Sequence, residues 1–190
     1  MGVQLPSKLT VEEYFAMDDA SERPLEYHNG DLFPMVAASP QHSVILVNVS
    51  HCLASLLKGG PCFAAGAPRV RTTGSNYVYP DIAVICGGFE YSAESANAIT
   101  NPTVIVEILS PTTADFDHGG KFALYSRLPS FTEYVLIAQD QAMIEVFYKE
   151  SEVQWILRKY EGMNSIIRIR SLEIEIPATE IYAGIEFPAV

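Results

Sequence analysis

Two carboxylates stand in the most apolar stretches of this chain. In VYPDIAVICGG (78–88) Asp81 directly follows Pro80, and in TVIVEILSP (103–111) Glu107 lies between Val106 and Ile108. An ionised carboxylate inside a sheet costs several kcal/mol unless a cation or several hydrogen-bond donors compensate it. Neighbouring strands lie about 5 Å apart, so Asp81 and Glu107 at facing positions could bring their oxygens to one point and hold a divalent ion. Magnesium suits such a site, because it accepts one or two carboxylates and keeps its remaining positions for water and phosphate. The alternative from residue types alone is a structural ion-pair cluster with Lys121 or Arg69.

Those residues need elements to position them. LTVEEYFAM opens a helix, with Thr10 and Glu13 as a capping box and Leu9 and Tyr14 as a hydrophobic staple. PLEYHNGDLFPMVA reads as two strands about an Asn29-Gly30 turn, the first carrying Glu26. Residues 39–60 form the longest expected helix, with Ser39 as N-cap, Pro40 in the first turn and Gly59 beyond its end; His42 sits at its start. Strands are expected at 61–65 and 68–73, then the two acidic strands, separated by a polar loop FEYSAESANAITNP. A helix from about Asp117 to Arg127, weakened by Gly119 and Gly120, puts Asp117, Lys121 and Tyr125 on one face at four-residue spacing. FTEYVLIAQ, MIEVFYKE and VQWILRKYE suggest a meander, with further short strands near 165–176. The order of elements implies one α/β domain over 1–190, with a mixed central sheet covered by helices.

Hydrophobic residues make up 48% of the 190 and charged residues 18%, a globular composition without the disorder signature. No apolar run is long enough to span a membrane and the N-terminus lacks a secretory pattern, so a cytoplasmic protein with no membrane partner is expected. Cys52, Cys62 and Cys86 are odd in number and widely spaced, and read as core thiols. The net charge of −11, from 23 acidic and 12 basic residues, argues against wrapping nucleic acid over a general basic surface. His28, His51 and His118 read as surface or core residues.

In order along the chain, RPLEYHNGDLF, ASPQHSVI, YPDIAVI and VIVEILSPTTADFDHGGKFALYSRLPSFTEYVLI resemble the Uma-two family of restriction-endonuclease-like proteins, within the PD-(D/E)xK nuclease superfamily. The resemblance covers roughly residues 9 to 160. It implies a restriction-endonuclease-like core with extra C-terminal antiparallel strands. It also implies a Mg2+-dependent endodeoxyribonuclease, with Mn2+ as substitute, DNA as partner and a homodimer as the assembly. Carried over position by position, Asp81 and Glu107 are catalytic metal ligands and Glu26 a further ligand. The superfamily lysine two residues after the glutamate is absent, Leu109 standing there. The family places it on the next helix, which makes Lys121 the catalytic lysine within the run Asp117, Lys121, Tyr125. His42 matches the histidine that opens the long helix. The displaced lysine and the acidic balance leave a second reading, a non-catalytic binding or assembly module that keeps a nuclease-like fold.

Overall fold

The computed structural model describes residues 8–110 and 114–187; the start of the chain, residues 111–113 and the last three residues lie outside that range. Helix α1 (Val11–Ala20) begins at the expected capping box, the Thr10 side chain accepting from the Glu13 amide and Glu13 accepting from the Thr10 amide. The β1 (Leu25–His28) and β2 (Asp31–Pro34) hairpin turns at Asn29 and Gly30, both at positive φ, as its Asn-Gly pair requires. Helix α2 (Pro40–Leu56) starts at Ser39, whose hydroxyl accepts from the His42 amide and thereby fixes His42 in the first turn.

Four short strands follow: β3 (Cys62–Gly66), β4 (Arg69–Arg71), β5 (Asn76–Val78) and β6 (Ile82–Cys86). The expected continuous strand over 78–88 is therefore broken at Tyr79 and Pro80. Proline cannot donate to a ladder, and the break puts Asp81 at the mouth of β6. The expected polar loop is instead largely a hairpin, β7 (Tyr91–Ser92) and β8 (Ser95–Ile99), before β9 (Val104–Leu109). Polar alternation on a partly exposed strand pair hid it. The helix expected from Asp117 begins earlier and is not uniform: α3 (Ala114–Phe116) runs into a π-helical turn (Asp117–Lys121) and then α4 (Phe122–Tyr125). The meander is present as β10 (Glu133–Ala138), β11 (Met143–Ser151) and β12 (Gln154–Glu161), followed by β13 (Ile166–Ile169), β14 (Ile174–Pro177) and α5 (Ala178–Ile181).

Among the described residues the strands form the expected mixed central sheet, a second six-stranded sheet that the sequence did not announce, and one further pair. The central sheet has the order β12-β11-β10-β9-β6-β3, the other β2-β1-β5-β4-β8-β7, and β13 pairs with β14. In the central sheet only β9 and β10 run parallel, and β6 is antiparallel to β9 with Ile82 opposite Val106. Every residue of β9 and β10 is buried, because the sheet is covered on both faces. Val104, Val106 and Ile108 pack with Ile45, Val49 and Leu53 of α2, while Ile105 and Leu109 pack on the opposite face with Tyr125, Phe131 and Tyr134. Alternation therefore turns Glu107 toward the face that carries Tyr125.

Cys62 and Cys86 face each other in the β3–β6 ladder and form a disulfide, so two of the three expected core thiols are cross-linked; Cys52 is free. Sequence spacing could not reveal a pair created by strand register. Among the described residues, no helix is long and apolar enough to cross a membrane.

Candidate active site

Register does most of the work of assembling the site. Because Ile82 pairs with Val106, the residue before it comes opposite Glu107, and the two are tied by crossed bonds: the Asp81 amide donates to Glu107 Oε2 (3.3 Å) and the Ile108 amide donates to Asp81 Oδ2 (2.7 Å). The two acids thus meet at the end of adjacent antiparallel strands. Glu107 is 3% exposed. Its Oε1 accepts from Tyr125 Oη (3.2 Å) and Lys121 Nζ (3.1 Å).

Lys121 comes from the π-helical turn above the sheet. Its ammonium lies 3.1 Å from Glu107, 3.4 Å from Glu26 and 3.4 Å from Asp117, so the four-residue spacing of Asp117, Lys121 and Tyr125 does place all three on the buried face. Tyr134 on β10 donates to the Asp117 carbonyl and anchors the turn to the sheet (3.0 Å). Glu26 arrives from β1. Its Oε1 accepts from the Tyr79 amide (3.1 Å), and its Oε2 lies 3.4 Å from His28 Nε2. Asp81 has a further neighbour in His42, with Nε2 3.2 Å from Oδ2. Both histidines thus touch site acids. For His28 this departs from the expected surface or core role: two residues beyond Glu26 on β1, it shares that residue's face by strand alternation, which residue type alone does not use.

The electrostatics follow from three carboxylates around one ammonium, with Asp81 beside Glu107 as a fourth acid. Burial pushes the Glu107 pKa well above the usual carboxylate range, and the nearby Asp81, Asp117 and Glu26 push it further, against the pull of Lys121. Burial would lower the Lys121 pKa, but Glu107, Glu26 and Asp117 outweigh it and hold the amine firmly protonated. Burial alone would raise Glu26, yet the His28 bond, the Lys121 charge and the Tyr79 amide leave it lowered.

A divalent ion held here would take Asp81 and Glu107 as its protein ligands. Asp81 and Glu107 face each other at the ends of adjacent strands, and the local excess of negative charge is what a cation would neutralise. The wider ligand set expected with Glu26 is not assembled: Glu26 is engaged by Lys121, Tyr79 and His28, and among the described residues no three Asp, Glu, His or Cys side chains converge to enclose an ion. Glu26 is positioned instead to hold Lys121. A surface depression of about 610 Å³, lined by Arg71, Thr72, Glu90 and Asn101 among others, shares no residue with this cluster.

A second polar group supports the first. His118 bridges the Ala114 carbonyl and Glu145 on β11, and Lys159 on β12 pairs with the same carboxylate, so the helical segment carrying Lys121 is strapped to the sheet. On the other flank, Arg69 joins Asp18 and the Tyr79 hydroxyl, fixing α1 to the residue whose amide holds Glu26. Neither group was anticipated beyond a pairing role for Arg69, since each joins residues far apart in sequence.

A family model described as "Putative restriction endonuclease" matches residues 11–179. Two proteins of Synechocystis, "Uncharacterized protein slr1290" and "Uncharacterized protein sll1609", are 30% and 31% identical to this chain. They cover 95% and 87% of it, and 94% and 95% of their own lengths are matched. The fold also resembles a crystal structure described as a putative nuclease belonging to DUF820 from Anabaena variabilis. The TM-score is 0.75 over 92% of this chain and 98% of that one, at 17% identity. With the family match spanning nearly the whole chain, this protein belongs to the Uma2 family.

Proposed function

We propose that the protein is a metal-dependent endonuclease that hydrolyses DNA phosphodiester bonds, with Asp81, Glu107 and Lys121 as its catalytic residues. The observation that carries this reading is the meeting of Asp81 and Glu107 at adjoining strand ends, with the Lys121 ammonium 3.1 Å from Glu107. Asp81 and Glu107 would hold Mg2+, or Mn2+ in its place, which when bound supplies Lewis-acid stabilisation of phosphate charge and a lowered pKa for the attacking water. Lys121 presents a fixed positive charge to the phosphoryl oxygens where charge grows. Its four-carbon stem lets a lysine on the helix above bring its ammonium within 3.1 Å of Glu107 on the strand. Glu26 and Asp117 hold that tip, and Tyr125 and the Asp81 amide hold the Glu107 carboxylate. His42 orients Asp81. The Uma2 family description supports a nuclease. A homodimer, which would let two sites cut both strands, and a cytoplasmic setting belong to the same proposal.

One observation favours the second reading, a binding module without turnover: the Lys121 ammonium is paired with three carboxylates and only 10% exposed. Incubation with supercoiled and single-stranded DNA at low salt in Mn2+ or Mg2+ separates the two. The nuclease reading expects nicking that Glu107→Gln abolishes and Lys121→Ala reduces by about 10²-fold or more. A metal-dependent rise in Tm should survive in Lys121→Ala and disappear in Asp81→Asn. No cleavage by wild type on either substrate with either metal would reject turnover.

A further inference from the structure

We infer that the rim of this site is a stacking platform for an unpaired nucleobase, so that the strand it acts on is single-stranded or locally unpaired. This inference rests on the reading of the site as one for DNA phosphodiesters.

Two phenylalanine rings from different elements meet at His28. Phe33 of β2 lies 5.1 Å from the His28 ring and Phe116 of α3 lies 5.4 Å from it, both edge-to-face. They nonetheless remain open to solvent, Phe33 at 51% and Phe116 at 42% exposure. His28 touches Glu26, and Glu26 touches Lys121, so two side chains separate the rings from the proposed catalytic ammonium. The Phe116 ring is also seated deliberately close to the helix: a Cβ at Gly120, the residue before Lys121, would meet it at 2.2 Å. The glycine that weakens the helix is what lets this ring lie against it.

Charge decides what such a platform is for. Of the 12 Lys and Arg residues, seven are ion-paired with carboxylates of this chain. Arg23, Lys58, Arg127, Arg158 and Arg168 have no such pair among the described residues, and none of them is among the ion-pair partners of Glu26, Glu107 or Asp117. With a net charge of −11, grip on DNA cannot come from a band of phosphate contacts. Stacking on an aromatic face is the sequence-tolerant, charge-independent alternative. A base can offer its face to a side chain only after leaving the duplex stack, which selects single strands, ends or flipped nucleotides.

The test is binding of a short single strand carrying 2-aminopurine, and of the same sequence as a duplex, at low salt in Ca2+. Stacking quenches the probe. The expected result is quenching in the single strand and affinity at least about tenfold above the duplex. Phe33→Leu and Phe116→Leu, which keep apolar bulk but remove the ring, should each weaken the single strand about tenfold and leave the duplex unchanged. Melting curves check both folds. Should Phe116→Leu lower Tm, Phe33→Leu on the hairpin decides alone. Equal affinity for the two forms, absence of single-strand binding, or a Phe33→Leu protein that binds like wild type would each overturn the platform. Cleavage in Mn2+ keeps the two proposals distinct: ring-dependent quenching without cleavage keeps the platform and rejects hydrolysis, whereas cleavage indifferent to both rings keeps hydrolysis and overturns the platform.

Discussion

Lys121 is where fold and proposed chemistry compete for one charge. Its ammonium compensates Glu107, Glu26 and Asp117. Removing it leaves buried carboxylates facing one another with no cation, an arrangement that typically costs about 3–5 kcal/mol. Lys121→Met should therefore lower unfolding free energy by roughly that amount in urea with chelator present. Glu107→Gln alone should cost little, because it removes the most strongly disfavoured charge while giving up one oxygen acceptor. Combined with Lys121→Met, it should recover part of the loss, and this non-additivity is the signature of a shared cluster. If the double variant is as unstable as the sum of the singles, the two side chains are not energetically coupled. Asp81 and Glu107 were legible from sequence because an acid in a run of buried strand residues conflicts with its surroundings. His28 was legible too, although residue type alone did not single it out: it follows Glu26 by two residues on β1, and strand alternation puts both on one face.

At the scale of elements, the paired glycines of the helical segment carry opposite roles. Both lie in the π-helical turn, yet a Cβ at Gly119 would meet nothing within 4 Å, while one at Gly120 would strike the Phe116 ring. Gly119→Ala should raise stability by up to about 1 kcal/mol through helix propensity, with DNA binding unchanged. Gly120→Ala gains the same propensity but must swing Phe116 aside, which a ring on a rotatable side chain can do toward solvent. Its net stability should stay within about 1 kcal/mol of wild type, while single-strand affinity falls as in Phe116→Leu. Urea curves beside the 2-aminopurine titration check both halves; a Gly120→Ala protein with wild-type affinity would separate the ring from binding. The helix itself was legible from its four-residue spacing, which correctly grouped Asp117, Lys121 and Tyr125. Its π-helical turn was not, since that depends on how the turn is pulled onto the sheet by Tyr134 and strapped through His118 to Glu145. The β7–β8 hairpin was hidden because its strands are short, polar and partly exposed, and the second sheet because β8 joins it by pairing with β4, far away in sequence.

For the whole molecule, acidity is a constraint on how any nucleic acid could be held. A protein that neutralises many phosphates shows a steep fall of affinity with salt, the logarithmic slope being about −0.7 per contact on single strands. Here five cations lack a carboxylate partner among the described residues, and they lie after α1, after α2, after α4, on β12 and on β13. With so few unpaired cations and a net charge of −11, two or three local contacts are the most the chain should offer. The logarithm of single-strand affinity plotted against the logarithm of salt, at fixed Ca2+, should then fall with a slope of only about −2. Because the remaining affinity comes from stacking, Phe33→Leu should shift that line down without changing its slope, whereas Arg127→Ala, on the segment just after α4, should flatten it by no more than about 0.7. A slope of −6 or steeper would mean that the cations gather on binding, through a second copy or a rearrangement, and that the aromatic rim is not the principal hold on the strand.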